Sequence, residues 1–308
     1  MSPSGPAVAI DGLRKSYGSL TAVDGITLEI RRGECFGLLG PNGAGKSTTL
    51  HCVVGALEPD QGTIQVDGEA DPTRPALRAR IGIAPQQIAL YDDLTADENL
   101  TFFGAIYGLR GPLLRERIEM ALEFAGLTPR RRDRVSTYSG GMQRRLNLIA
   151  GILHNPPVIL LDEPTAGVDP QSRNAIFESI DSMKRLGKTI VYTTHYMEEA
   201  QRLCDRVAIV DRGRVLAVDT VEGLIRSHGG PPTVEIERPP RVEDGADSEL
   251  AQDLGAAWEG DRLRVRTDRP LDVVGRLAAR ADAYTQIRIE RADLEDVFLN
   301  LTGRNLRD

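Results

Sequence analysis

The sequence predicts an α/β protein: a parallel sheet covered on both faces, an antiparallel β flank, a helical insert, and a second, smaller α+β domain. Three observations carry this. Apolar runs at 35–39, 158–161, 189–193 and 207–210 read as strands buried on both faces. Stretches of helical periodicity alternate with the later runs, as a parallel sheet requires. The first run leads into Gly40-Pro41-Asn42-Gly43-Ala44-Gly45-Lys46-Ser47-Thr48, the G-x-x-x-x-G-K-[ST] spacing set between a strand and a helix.

Taken in order, Ala7-Val8-Ala9-Ile10, leading to Leu13, reads as a strand and Lys15-Ser16-Tyr17-Gly18 as a turn. Residues 26–30 alternate apolar and polar, and 63–66 repeat this before the Asp67-Gly68 turn. From about residue 91 the texture is helical. Thr95 and Glu98 form a capping box, and Leu100, Phe103, Ile106 and Tyr107 recur at helical spacing. Gly111-Pro112 is expected to break that helix, and a second one carrying Ile118, Ala121 and Leu122 ends at Gly126. The insert is expected to span about 91–155. Arg130 to Arg134 reads as a solvated turn rather than a binding patch. Ser139 caps a helix with Met142, Leu146, Ile149 and Leu153 on one face, and Ile176, Ile180 and Met183 mark another.

Composition shifts at Gly229-Gly230-Pro231-Pro232. Beyond it, 234–237, 263–266 and 287–290 alternate like strands, with helical stretches around Leu250, at 271–281 and at 294–301, and a solvated loop at 239–247. The expected division is therefore 1–225 and 226–308.

The 308 residues are 41% hydrophobic and 27% charged, ordinary for a soluble globular protein. A net charge of −7 argues against nucleic acid as a partner. Cys35, Cys52 and Cys204 have no metal spacing and read as reduced thiols of a cytosolic protein. The polar start is not a signal peptide, and no apolar run reaches the roughly 18 residues of a membrane span. Any role in a membrane process would need a separate chain to supply the spans.

The chemistry begins at the phosphate loop. Glycines at 40, 43 and 45 are expected to take positive φ and let the backbone approach a ligand. Amides and the following helix N-terminus then converge on an anion, and Lys46 adds a charge for the β- and γ-phosphates of a nucleoside triphosphate. Ser47 can give its hydroxyl to Mg²⁺. Asp162 and Glu163 end the apolar run 158–161, where ligands sit outside the carboxyl ends of parallel strands. One carboxylate can hold Mg²⁺ and its neighbour can orient and deprotonate water. Ser139-Gly140-Gly141 opens a second helix as a further anion-attracting end.

With these residues in view, the chain resembles the nucleotide-binding subunits of ATP-binding-cassette (ABC) transporters. Residues 40–48 match Walker A, and 158–162 match Walker B with Glu163 as catalytic carboxylate. Ser139, Gly140, Gly141 and Met142 match the signature, although Tyr138 and Met142 replace its common leucine and glutamine. Gln86 matches the Q-loop, Asp169 the D-loop, His195 the switch histidine and Tyr17 the aromatic that stacks on adenine. The matched motifs run over about residues 7–217. The departures, and the tail 294–303, are similar to the drug-resistance exporter branch, whose permeases are separate chains. The resemblance implies a P-loop ATPase of the ABC type that uses ATP and Mg²⁺. It implies ATP-dependent head-to-tail pairing, Lys46 of one copy and Ser139 of the other flanking each nucleotide, and Gln86, Glu163 and His195 serving hydrolysis. It also implies peripheral attachment to the cytoplasmic face of a membrane through the permease. A soluble ATPase that clamps a protein partner would share the same motifs.

Overall fold

The strand that feeds the phosphate loop lies at the centre of a six-stranded sheet. In this computed structural model, which describes residues 5–71, 73–238, 251–278 and 284–303, β3 (Cys35–Leu39) is buried at every residue. It pairs in parallel with β7 (Thr189–Thr194) on one side and β8 (Arg206–Asp211) on the other. The sheet continues through β6 (Val158–Asp162) to β5 (Ile81–Ala84), also parallel, and ends beyond β8 in antiparallel β9 (Arg214–Thr220). Burial on both faces explains why β3 and residues 158–161 of β6 are unbroken apolar runs rather than alternating ones; β7 is buried throughout as well, three threonines included.

That strand order has a functional consequence. β5, β6, β7 and β3 are neighbours and run the same way, so the segments leaving their carboxyl ends lie side by side. Those segments carry Gln86, Asp162 with Glu163, His195, and the phosphate loop.

The antiparallel flank is a three-stranded sheet of β1 (Val8–Tyr17), β2 (Leu20–Ile30) and β4 (Gln61–Val66), with β1 in the middle. The turn expected at 15–18 sits later. Lys15 to Tyr17 stay in β1, paired with β2, and Gly18 at φ 60° starts the reversal. The inward face of this flank shares one core with β3, β6 and α1 (Lys46–Val53), through Leu13, Ile26, Phe36, Leu50 and Leu160.

After the one-turn α2 (Pro75–Arg78), the insert contains α3 (Ala96–Ile106), α4 (Gly111–Phe124) and α5 (Gly140–Ile152). The Thr95/Glu98 capping box forms as expected. Gly111 and Pro112 do not end α3. They begin α4, with proline in the first turn, where its missing N–H costs nothing. The expectation of a solvated turn at 130–134 is corrected at Arg131. Its guanidinium lies 2.9 Å from Asp97 on α3 and 2.8 Å from Glu119 on α4, tying the two helices together. After β6, α6 (Pro170–Arg185) and α7 (Met197–Leu203) complete this part of the chain.

By internal contacts the chain divides into two units at Val221/Glu222. The second begins with α8 (Val221–His228) and holds an antiparallel sheet in the order β11 (Trp258–Glu259), β12 (Arg262–Arg266), β10 (Thr233–Glu237), β13 (Gln286–Glu290). One face buries Val234, Ile236, Leu263 and Val265 with Val273 and Leu277 of α9 (Pro270–Ala278). The opposite face is charged, with Glu235 2.8 Å from Arg264 across the strands. Asp293 caps α10 (Leu294–Thr302), and Gly303 at φ 71° closes it. The loop read at 239–247, Leu250 and the end of the helix read at 271–281 fall outside the described residues.

Among the described residues no helix is long and apolar enough to cross a membrane. Cys35, Cys52 and Cys204 are buried free thiols.

Candidate functional site

Gly43 and Gly45 take the positive φ that the loop sequence predicts, at 79° and 97°. Gly40 does not, and its reason is space: a Cβ there would run into the Val210 carbonyl oxygen. The loop wraps the side chain that follows it. Lys46 Nζ donates to the carbonyls of Gly40 at 2.8 Å and Pro41 at 3.0 Å, and lies 3.1 Å from Glu163 Oε1. Burial lowers the pKa of this ammonium from its usual value, and the Glu163 charge works against that shift.

Glu163 is the hub. Its Oε2 accepts from Gln86 Nε2 at 3.2 Å and lies 3.2 Å from His195 Nδ1. The His195 approach lacks the geometry of a hydrogen bond, and Nδ1 is buried without a hydrogen-bond partner. A buried nitrogen in that state has a hydrogen bond still to make. The Glu163 backbone has φ 44°, a left-handed conformation uncommon outside glycine and frequent at functional sites. Beside it, Asp162 Oδ1 accepts from Ser47 Oγ at 3.0 Å and Thr193 Oγ1 at 2.6 Å.

Of these groups, Lys46, Ser47, Gln86 and Glu163 line a cleft of about 410 Å³; Asp162 and His195 do not line it and connect to it through Ser47 and Glu163. The cleft is lined by the loop from Asn42 to Thr48, by Gln86 and Glu163, and by Tyr17 at the end of β1 and Leu20 at the start of β2. Tyr17 lines the cleft and is 49% exposed. Gln86, rather than Gln87, is the glutamine that reaches the carboxylate.

The other expected site residues do not line this cleft. Ser139 is the N-cap of α5 and accepts from Met142 N at 3.3 Å. Gly140 is exposed and open on its Cβ side. Gly141 packs against the start of α6, where a Cβ would strike the Ser172 side chain. Asp169 caps α6 by accepting from Ser172 N at 2.9 Å, and hydrogen bonds from the Ser172 side chain and backbone hold its pKa below the usual carboxylate value. Within one chain, the two anion-attracting helix ends therefore serve separate surfaces.

Sequence reasoning passed over the residues that hold this assembly. Arg144 on α5 donates to the carbonyls of Gln86, of Pro85 at 3.5 Å and of Ala166 at 3.4 Å. Asn147, one turn on, donates to Pro85 O at 3.2 Å and accepts from Ala89 N at 3.0 Å. Glu199 on α7, 2% exposed, accepts from Thr165 at 2.7 Å and from Tyr192 and Thr194 at 2.8 Å each. It ties the chain after Glu163 to the strand end that bears His195. The available signal was polarity at buried helical positions: Asn147 lies between apolar neighbours eight residues after Ser139.

Asn147→Leu keeps the branched shape but strands Ala89 N and leaves Pro85 O with only the longer Arg144 contact. Each lost partner costs about 1–3 kcal/mol, so urea unfolding should register a clear loss of stability. Faster amide exchange across 86–91 is expected with it.

Comparison with known proteins accords with this geometry. A family profile described as "ABC transporter" matches residues 23–166. The chain is 41% identical over 311 residues to the linearmycin resistance ATP-binding protein LnrL of Bacillus subtilis, covering 97% of this chain and 99% of that one. It is 42% identical over 310 residues to the Nod factor export ATP-binding protein I of Ralstonia nicotianae, covering 99% and 96%. Among solved structures, a dimeric post-hydrolysis state of an ATP-binding cassette bound to ADP and Pi matches with TM-score 0.64 and 28% identity, over 69% of this chain and 98% of that one.

Proposed function

Because this chain belongs to the ABC transporter family, as an ATP-binding and ATP-hydrolysing subunit, we propose that it powers export through a separate membrane permease. In this reading two copies pair head to tail on ATP, at the cytoplasmic face of the membrane. One observation carries it. Lys46, Gln86 and His195 converge on Glu163, which lines the cleft with Lys46 and Gln86, while Ser139 and Gly141 open a helix outside it. A second copy can bring its own helix end to that cleft, so that two surfaces attracting negative charge meet on one polyanion.

The roles follow from the geometry. The loop amides and Lys46 hold the β- and γ-phosphates, and Tyr17 offers its ring face to the adenine. Glu163 accepts the proton of the attacking water, which Gln86 orients. His195 Nδ1, buried without a hydrogen-bond partner, can meet a γ-phosphate oxygen. The donor set fits Mg²⁺: Ser47 Oγ and Asp162 Oδ1 lie 3.0 Å apart, with Gln86 on the adjoining wall. Mg²⁺ keeps several waters and leans on substrate phosphates, so a few protein oxygens are enough to hold it. That ion would neutralise charge on the transferring phosphoryl group.

The insert supports the permease as partner. Tyr91, Phe102 and Phe103 form an aromatic cluster with centroids 4.9 Å and 5.5 Å apart. Phe102 and neighbouring Ile106 are 41% and 62% exposed, on the segment that follows Gln86. The names of the relatives, linearmycin resistance and Nod factor export, support the direction of transport.

Ser139→Glu tests the pairing. It puts negative charge where a partner's nucleotide must sit, outside this chain's own cleft. The variant is expected to bind a non-hydrolysable ATP analogue as the wild type does, yet to lose nucleotide-driven association in sedimentation. Association at wild-type strength would overturn the head-to-tail reading. Co-purification with an integral membrane protein is expected for the transport role, and its failure from the native membrane would favour a soluble clamp.

A further inference from the structure

We propose that Thr193 is a positioning residue whose single hydroxyl sets both carboxylate residues of the site. The proposal rests on the reading of Asp162 and Glu163 given above. Thr193 is fully buried in β7, in register with Leu38 on one side and Asp162 on the other. Its Oγ1 lies 2.6 Å from Asp162 Oδ1, 3.0 Å from Glu163 N and 3.5 Å from Leu161 O.

A hydroxyl has one proton to give. The Asp162 oxygen is the nearest acceptor, so the proton goes there. The lone pairs of Oγ1 are then left for the Glu163 N–H. Ser47 Oγ donates to the same Asp162 oxygen. One line of hydrogen bonds thus runs from the Glu163 amide through Thr193 to Asp162, where it meets Ser47.

Each end of this line needs it. Glu163 holds a left-handed backbone, which persists only where its surroundings fix it. Asp162 must present its other oxygen and lone pairs to a metal in one orientation, and groups behind a metal ligand commonly set that orientation. Thr193 is shut off from bulk solvent, and in Thr193→Val a methyl group fills the place of the hydroxyl. Position 193 therefore bears on hydrolysis without touching nucleotide.

Thr193→Val and Thr193→Ser test this. Valine keeps the β-branched shape and removes only the hydroxyl. Folding is expected to survive, since Glu163 N also donates to the Thr193 carbonyl at 3.2 Å. Loss of a group behind a metal ligand lowers activity or metal affinity by about 10–100-fold. For Thr193→Val, kcat should fall by about that factor while KM for ATP stays within about threefold. The Mg²⁺ concentration giving half of the thermal shift with a non-hydrolysable ATP analogue should rise about tenfold. Thr193→Ser should restore both readouts to within about threefold of the wild type. A valine variant matching the wild type in both, or a serine variant no better than valine, overturns the proposal. Glu163→Gln is measured beside them. If it stays active, the reading of the carboxylates has failed and takes the proposal with it. If it is inactive while Thr193→Val is normal, the fault lies with Thr193 alone.

Discussion

Glu163→Gln is expected to slow ATP turnover by about 10²- to 10⁴-fold, the usual contribution of a positioned general base, while ATP still binds. The structure sharpens the second half of that statement. In the wild type, Glu163 shares Lys46 with the loop carbonyls, at 3.1 Å against 2.8 Å and 3.0 Å. A γ-phosphate arriving at Lys46 must compete with that carboxylate. The amide has the same shape and no charge, so the competition weakens and nucleotide affinity should hold or improve. Gln86 keeps an oxygen to donate to, so the wall of the cleft should stay in place. Phosphate release and equilibrium nucleotide binding, measured separately, decide the matter. Turnover above a tenth of the wild-type rate would remove Glu163 from the proton-accepting role, whatever the binding data.

The motifs were legible because each is local. A strand, a glycine-rich turn and a helix are contiguous in the chain, so residues 40–48 announce their own geometry. The buried strands were legible too, because cover on both faces forces continuous apolar runs such as 158–161. Strand order was not legible. Nothing in the run 35–39 says that it lies between β7 and β8, and that order is what brings Gln86, Glu163 and His195 together. Local readings failed where two signals competed. Lys15-Ser16-Tyr17-Gly18 looks like a turn, yet pairing with β2 holds the first three residues in strand and moves the reversal to Gly18. Gly111-Pro112 looks like a stop but serves as a start, because proline suits the first turn of a helix as well as the end of one. The supporting residues were the least visible. Thr193 is an ordinary β-branched strand residue and Arg144 an ordinary helical cation until their partners, 31 residues away at Asp162 and 58 at Gln86, are in place.

Lys46→Ala is expected to weaken ATP binding by about 10- to 100-fold, the loss of charge-assisted hydrogen bonds worth about 1.5–3 kcal/mol. It should also destabilise the nucleotide-free protein, for a reason that has nothing to do with ATP. The side chains of Lys46 and Glu163 are 4% and 7% exposed, so each is the other's counter-charge in a buried pair. Removing one member of such a pair typically costs about 3–5 kcal/mol, because the remaining charge is left buried. Glu163 keeps Gln86 and the nearby His195, which places the expected cost at the lower end of that range. The two effects separate in a cycle with Glu163→Gln. In the double variant nothing charged is stranded, so much of the lost stability should return, with a coupling of about 1–3 kcal/mol in denaturant unfolding. Nucleotide affinity should not return, since the amide supplies no cation. Strictly additive stability losses would mean that the pair does not hold in solution. Recovery of ATP binding in the double variant would mean that Lys46 acts only by offsetting Glu163 and makes no contact with phosphate of its own.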